Sequence, residues 1–171
     1  MKNAFFYLAI LGWLVSIAIH VLAIFDQIGD SDAIFLMHLG VFVVWLPAIL
    51  SLRAEQKEKN EGQATRQIPL SLFLDIFKRI PLPIAIIASA GFVYALVNFA
   101  LFMTTNAVSG TPTHIGDVYM LQNRGDQVKI LTAQEYFHMK SAVVRGFSGH
   151  WIAFYGLSVA FLYPYRKADK T

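Results

Sequence analysis

The stretch RGFSGHWIAFYGLSVAFLY, Arg145–Tyr163, decides the fold of this 171-residue chain. From Phe147 to Tyr163 it carries no Asp, Glu, Lys or Arg, yet it opens on a cation, two glycines, a serine and a histidine. A helix needs about 20 apolar residues to cross a bilayer core. Residues 147–163 are the shortest of four such uncharged runs; the others are Phe5–Phe25, Ala33–Leu52 and Pro83–Met103. If this last run also crosses, the chain is an all-α, four-transmembrane-helix bundle with both termini on one side.

Composition supports that reading. The chain is 56% hydrophobic and 15% charged, whereas soluble domains average about 25% charged residues. The first run exceeds the roughly 7–15 apolar residues of a signal peptide, so it is expected to be retained. The absence of cysteine excludes disulfides and thiolate chemistry. The net charge of +3 reflects loop cations and membrane topology, and no nucleic-acid partner is expected.

Lys2, the segment with Arg53, Lys57, Lys59, Arg66, Lys78 and Arg79, and the tail with Arg166, Lys167 and Lys170 carry the positive charge. Asp26–Asp32 (DQIGDSD) holds three acids and no base. Lys/Arg enrichment marks short cytoplasmic loops. The expectation is therefore N-in/C-in, with loop 53–82 cytoplasmic, Asp26–Asp32 outside and an extracytoplasmic cap over 104–146. The cap's four bases do not override this, because longer translocated segments obey the charge rule less strictly. The expected setting is a cell membrane, a bacterial inner (cytoplasmic) membrane.

Arg53–Arg66 is expected to prolong the second helix as far as Gly62. Residues 68–80 (IPLSLFLDIFKRI) place Leu72, Phe73, Ile76, Phe77 and Ile80 at helical spacing, opposite Asp75, Lys78 and Arg79. That pattern predicts an amphipathic helix lying in the inner interface, against lipid or a protein partner. In the cap, Thr104–Asp117 reads as a turn-rich loop, and Val118–Leu131 as a β-hairpin turning at Asn123–Asp126. Thr132-Ala-Gln-Glu135 is a capping-box sequence that starts a helix at Ala133. Continued to Tyr163, that helix would be about 45 Å long, with Gly146 and Gly149 as bend points.

The chemistry-bearing candidates are His20, His38 and His150, with Asn98. At 1.5 Å rise per residue the three histidines lie roughly 5–8 Å inside the outer boundary, and Asn98 falls at the same level. Each span thus places one polar side chain in one outer layer, and intramembrane ionisable residues default to functional hypotheses. A structural layer is one reading, because buried polar groups find hydrogen-bond partners. A transition-metal site on His20, His38 and His150 is another. Haem held axially by two of these histidines, or a quinone pocket lined by a histidine with Tyr94, Trp151 and Tyr155, is a third. Gly146–Gly149 (GFSG) is similar to the Gly-x-Ser-Gly pattern of rhomboid intramembrane proteases. That similarity implies Ser148 as nucleophile, with His20 or His38 as base. It covers four residues, and those proteases have at least six spans, so glycine-mediated helix contact is the expectation here.

Trp13 and Trp45 are expected to pack, and Trp151, Tyr163 and Tyr165 to sit in aromatic belts. Arg145 is expected to snorkel, or to pair with Asp26, Asp30 or Asp32. Function divides two ways. One is an accessory, assembly or partner-binding component, acting through the cap or the 68–80 helix. The other is a redox or metal-dependent protein using the histidine layer.

Overall fold

A computed structural model describes residues 2–59, 70–105 and 110–164. It contains five α-helices: α1 (Lys2–Ile24), α2 (Met37–Lys59), α3 (Leu70–Arg79), α4 (Leu82–Thr105) and α5 (Ala133–Leu162). A short 3-10 segment, Asp32–Leu36, leads into α2, with Ser31 capping it by accepting from the Ala33 amide. Three strands, β1 (Thr111–Ile115), β2 (Val118–Asn123) and β3 (Asp126–Ile130), form an antiparallel meander before α5. The chain is thus mostly helical with one small sheet.

Among the described residues, three helical stretches are long and apolar enough to cross a membrane: Asn3–Ile24, Asp32–Glu58 and Leu82–Thr104. Their surfaces explain why. Leu11 and Leu14 on α1, Phe42 and Leu46 on α2, and Val93 and Leu96 on α4 are all exposed. Water would not tolerate such a continuous apolar exterior, whereas lipid matches it.

The second half of α5 is built differently because it is the centre of the bundle. All four other helices pack against it. Trp151, Ile152, Tyr155, Val159 and Leu162 are buried. Small residues set the approach distances. A Cβ on Gly146 would meet the Phe102 ring at 2.7 Å, and one on Gly156 the Trp13 indole nitrogen at 3.3 Å. Tyr155 wedges between α1 and α2, where its ring covers Gly12 and its hydroxyl reaches Gly40 and donates to the Met37 carbonyl at 3.2 Å. A helix enclosed by others meets little lipid, so it tolerates glycine, serine and histidine at contacts.

Several sequence expectations are sharpened or corrected. α5 begins in a complete capping box, Thr132 with Glu135, and runs 30 residues without interruption at Gly146 or Gly149. α2 likewise runs through Pro47 to Lys59; the expected break near Gly62, together with Arg66, Ile68, Pro69, Tyr165 and the tail cations, lies outside the described residues. Trp151 belongs to the core instead of an aromatic belt, at 1% exposure. Trp13 and Trp45 do pack, and Tyr163 is half-buried edge-on to Phe6.

Within the expected loop Thr104–Asp117 there is a strand. Residues 111–115 pair with β2 from Thr111↔Gln122 to Ile115↔Val118. Pro112 is compatible with this because β1 is an edge strand. Gly116, at φ 60°, makes the tight turn between the two strands. The second turn has positive φ at both Arg124 and Gly125, as a type I′ hairpin turn requires.

The amphipathic helix also differs from expectation. α3 lies against the end of the bundle, with Leu72, Ile76 and Ile80 buried in its core. Phe73 and Phe77 meet Phe161 of α5, and Arg79 pairs with Glu55 of α2 at 2.6 Å. The bundle itself covers the apolar face that sequence assigned to lipid or a partner.

A polar ring and a charged clasp as the candidate functional site

Two polar assemblies stand out, one inside the bundle and one in the cap. The first joins α1, α4 and α5. His20 is 4% exposed and Ser148 fully buried. His20 Nδ1 lies 2.8 Å from Ser148 Oγ, and His20 Nε2 lies 2.5 Å from the Tyr94 hydroxyl. The Ser148 hydroxyl donates to the Arg145 carbonyl at 3.2 Å. The Asn98 amide donates to the same carbonyl at 3.0 Å and to the Gly146 carbonyl at 3.3 Å. His150 Nδ1 also donates to the Gly146 carbonyl, at 3.0 Å.

One proton arrangement gives every donor an acceptor. Tyr94 donates to His20 Nε2, His20 Nδ1 donates to Ser148, and Ser148 donates to the Arg145 carbonyl. The ring closes on α4, because Tyr94 and Asn98 are one turn apart. It is neutral throughout, as an apolar surrounding demands. In this arrangement His20 gives a proton to Ser148 instead of taking one. Ser148 is therefore a relay between two helices, and the orientation is opposite to that of a serine activated by a histidine base.

Of the four residues singled out from sequence, His20, Asn98 and His150 belong to this network, His150 through the shared Gly146 carbonyl. His38 does not. Its Nδ1 donates to the Phe35 carbonyl at 3.2 Å, and its ring packs among Phe35, Phe147 and Trp151. His150 instead meets Phe99. The imidazoles lie against different helices, and among the described residues no three His, Asp or Glu side chains are grouped to hold one metal ion. The common level of His20, Asn98 and His150 along the bundle was readable from sequence, but angular position around α5 was not. Tyr94 and Ser148 complete the ring; the sequence set Ser148 beside His20 only as a nucleophile and Tyr94 only as a quinone-pocket lining.

The second assembly is a clasp between the α1–α2 connection and the cap. Lys140 of α5, with 8% of its side chain exposed, reaches Asp30 Oδ1 at 2.8 Å and Asp32 at 3.2 Å. It also donates to the Asp30 carbonyl at 2.5 Å. The Tyr136 hydroxyl donates to Asp30, and His114 of β1 lies 2.8 Å from its other oxygen. His138 pairs with Asp26 at 2.8 Å. The donors from Lys140, Tyr136 and His114 hold the Asp30 carboxyl far below the usual carboxylate range. Burial works against the Lys140 charge, but its bonds to Asp30, Asp32 and Tyr136 outweigh burial and raise its pKa.

The expected partner of these aspartates, Arg145, is thus replaced by Lys140. The helix direction explains it: Lys140 lies five residues nearer the start of α5, level with the connection. Tyr136 and Lys140 stand one turn apart on the same face, a signal that an (i, i+4) reading could have found.

Behind the clasp, Leu121, Leu131 and Tyr136 form a small core of their own. The sheet turns Tyr119 and Leu121 toward α5. Its other face carries Ile115, Val118 and Ile130, all exposed. Val128, the unpaired residue at the β2–β3 irregularity, is exposed as well. Comparison of the chain with family models, with curated proteins and with solved structures finds no match.

Proposed function

We propose that this chain is a four-span membrane protein whose cap docks the extracytoplasmic part of another membrane protein. In this reading α5 is the fourth span. Both termini and α3 lie on the cytoplasmic side of a cell membrane, and the sheet lies outside. The division of Lys and Arg among the segments supports that orientation.

One observation carries the docking role. Four large apolar side chains, Ile115, Val118, Val128 and Ile130, are exposed on one rigidly held cap. An apolar cluster of this kind marks an interaction surface. The clasp of Lys140 and Tyr136 on Asp30 fixes the cap to the bundle, so a partner meets a surface with little left to order. Haem, quinone or metal chemistry draws less support, because the imidazoles of His20, His38 and His150 are each engaged separately.

A photo-crosslinking residue at Val128 or Ile130, installed in cells, tests this. The expected outcome is a discrete protein adduct from these positions, lost when Val118→Asp is added and not formed from Gln134, exposed at the start of α5. Equal adducts from Gln134, or adducts to lipid alone, would contradict it.

A further inference from the structure

We propose that the cap carries a binding site for one zwitterionic phospholipid with a primary-ammonium headgroup, a second site distinct from the docking face. A cavity of about 440 Å³ opens between the last turn of α4, the inner face of the sheet and α5. Its volume falls in the usual range for small-molecule sites, about 300–1,000 Å³. Phe102, Leu121, Leu131, Met139 and Val143 give it an apolar lining. Gly146 lets the Phe102 ring lie flat against α5 and hold that wall in place.

The position favours lipid. Phe102 is flanked on α4 by the exposed Leu101 and Met103. The cavity mouth therefore continues the apolar surface that faces the bilayer. This step rests on the membrane-spanning arrangement proposed above. An acyl chain can enter from that surface without crossing water.

The rim selects the headgroup. Lys129 and Glu135 lie side by side at 2.6 Å, and both remain accessible. His138 completes the rim and is already paired with Asp26. Lys129 keeps N–H donors free for a phosphate, but a phosphate held there stands beside the Glu135 carboxylate. A headgroup that brings its own ammonium relieves that repulsion, with phosphate on Lys129 and ammonium on Glu135. A purely anionic headgroup leaves Glu135 facing a phosphate, and a quaternary ammonium offers it no N–H donor.

Native mass spectrometry of the full chain tests this, with equimolar phosphatidylethanolamine, phosphatidylcholine and phosphatidylglycerol added in detergent. The expected result is one retained phosphatidylethanolamine, at least tenfold over either competitor. Val143→Phe, which fills the cavity, should abolish retention. Glu135→Gln keeps the capping-box geometry and should remove the preference while leaving the melting temperature within a few degrees. No retained lipid, equal retention of the three lipids, or a preference unaffected by Glu135→Gln would overturn the proposal. Failure here leaves the spanning arrangement intact, since cysteine labelling tests that separately.

Discussion

His20 and Ser148 stand 128 positions apart in sequence, yet their side chains meet at 2.8 Å in the interior of the bundle. That contact fixes the depth of α1 against α5. Its worth should be visible in a double-mutant cycle. His20→Ala, Ser148→Ala and the double variant, compared by thermal unfolding in detergent, should show a coupling of about 0.6–1.7 kcal/mol, the range of intramembrane hydrogen bonds. Strict additivity would mean that the contact does not hold the helices.

Asp30 and Lys140 predict a second asymmetry. Lys140→Met removes the buried charge together with its needs, so it should cost little. Asp30→Asn leaves Asp32 as the only carboxylate on the ammonium of Lys140, beside the main-chain carbonyl of residue 30. The cost should reach about 3 kcal/mol and no more, because Asp30 is itself 39% exposed. Hydrogen exchange should show the loss in Ala133–Arg145 and the sheet, with the bundle unaffected. Equal loss in both variants would contradict the clasp.

The same pair sets a pH window for the cap. The folded pKa of Asp30 is depressed, so its contribution is complete above the unfolded value near 4 and fades as pH falls below it. Glu135, held to about 2 by Lys129 and the Thr132 cap, acts in the same direction between about pH 4.5 and 2. Lys140 is raised, so its contribution is complete below about pH 10 and fades at higher pH. The protection that Asp30, Glu135 and Lys140 supply to the cap should therefore fall below about pH 4.5 and again above about pH 10. Asp30→Asn should blunt the acid limb.

Tyr155 predicts which glycines are indispensable. A Cβ on Gly12 would strike the ring itself, whereas one on Gly40 meets only the hydroxyl end. Gly12→Ala should cost about 1–3 kcal/mol by overpacking. Gly40→Ala should cost less, and Tyr155→Phe should rescue it. A melting-temperature series of these variants decides the matter.

Much of this architecture was legible in the sequence. The uncharged runs found the apolar helices, and Thr132 with Glu135 located the start of α5. β1 was missed because its Pro and Thr residues read as turn. α3 was read as amphipathic, but its periodicity cannot say whether lipid or the bundle covers the apolar side. Of the polar ring, depth was readable for His20, Asn98 and His150. Ser148 was paired with His20 only as a nucleophile and Tyr94 only as a pocket lining, because neither residue type by itself marks a structural hydrogen-bond network. His38 shared the depth but not the direction. Rotation about a helix axis depends on packing, which only the assembled bundle fixes.

The central claim is that α5 crosses the membrane and carries the sheet to the side opposite α3. The chain has no cysteine, so single-cysteine variants report cleanly. Asp126→Cys, at the hairpin turn away from the docking face, and Lys57→Cys, each at an exposed position, should be treated in intact cells with a membrane-impermeant maleimide. Asp126→Cys should label at once, and Lys57→Cys only after the membrane is opened. Labelling of both positions from the same side would contradict the account.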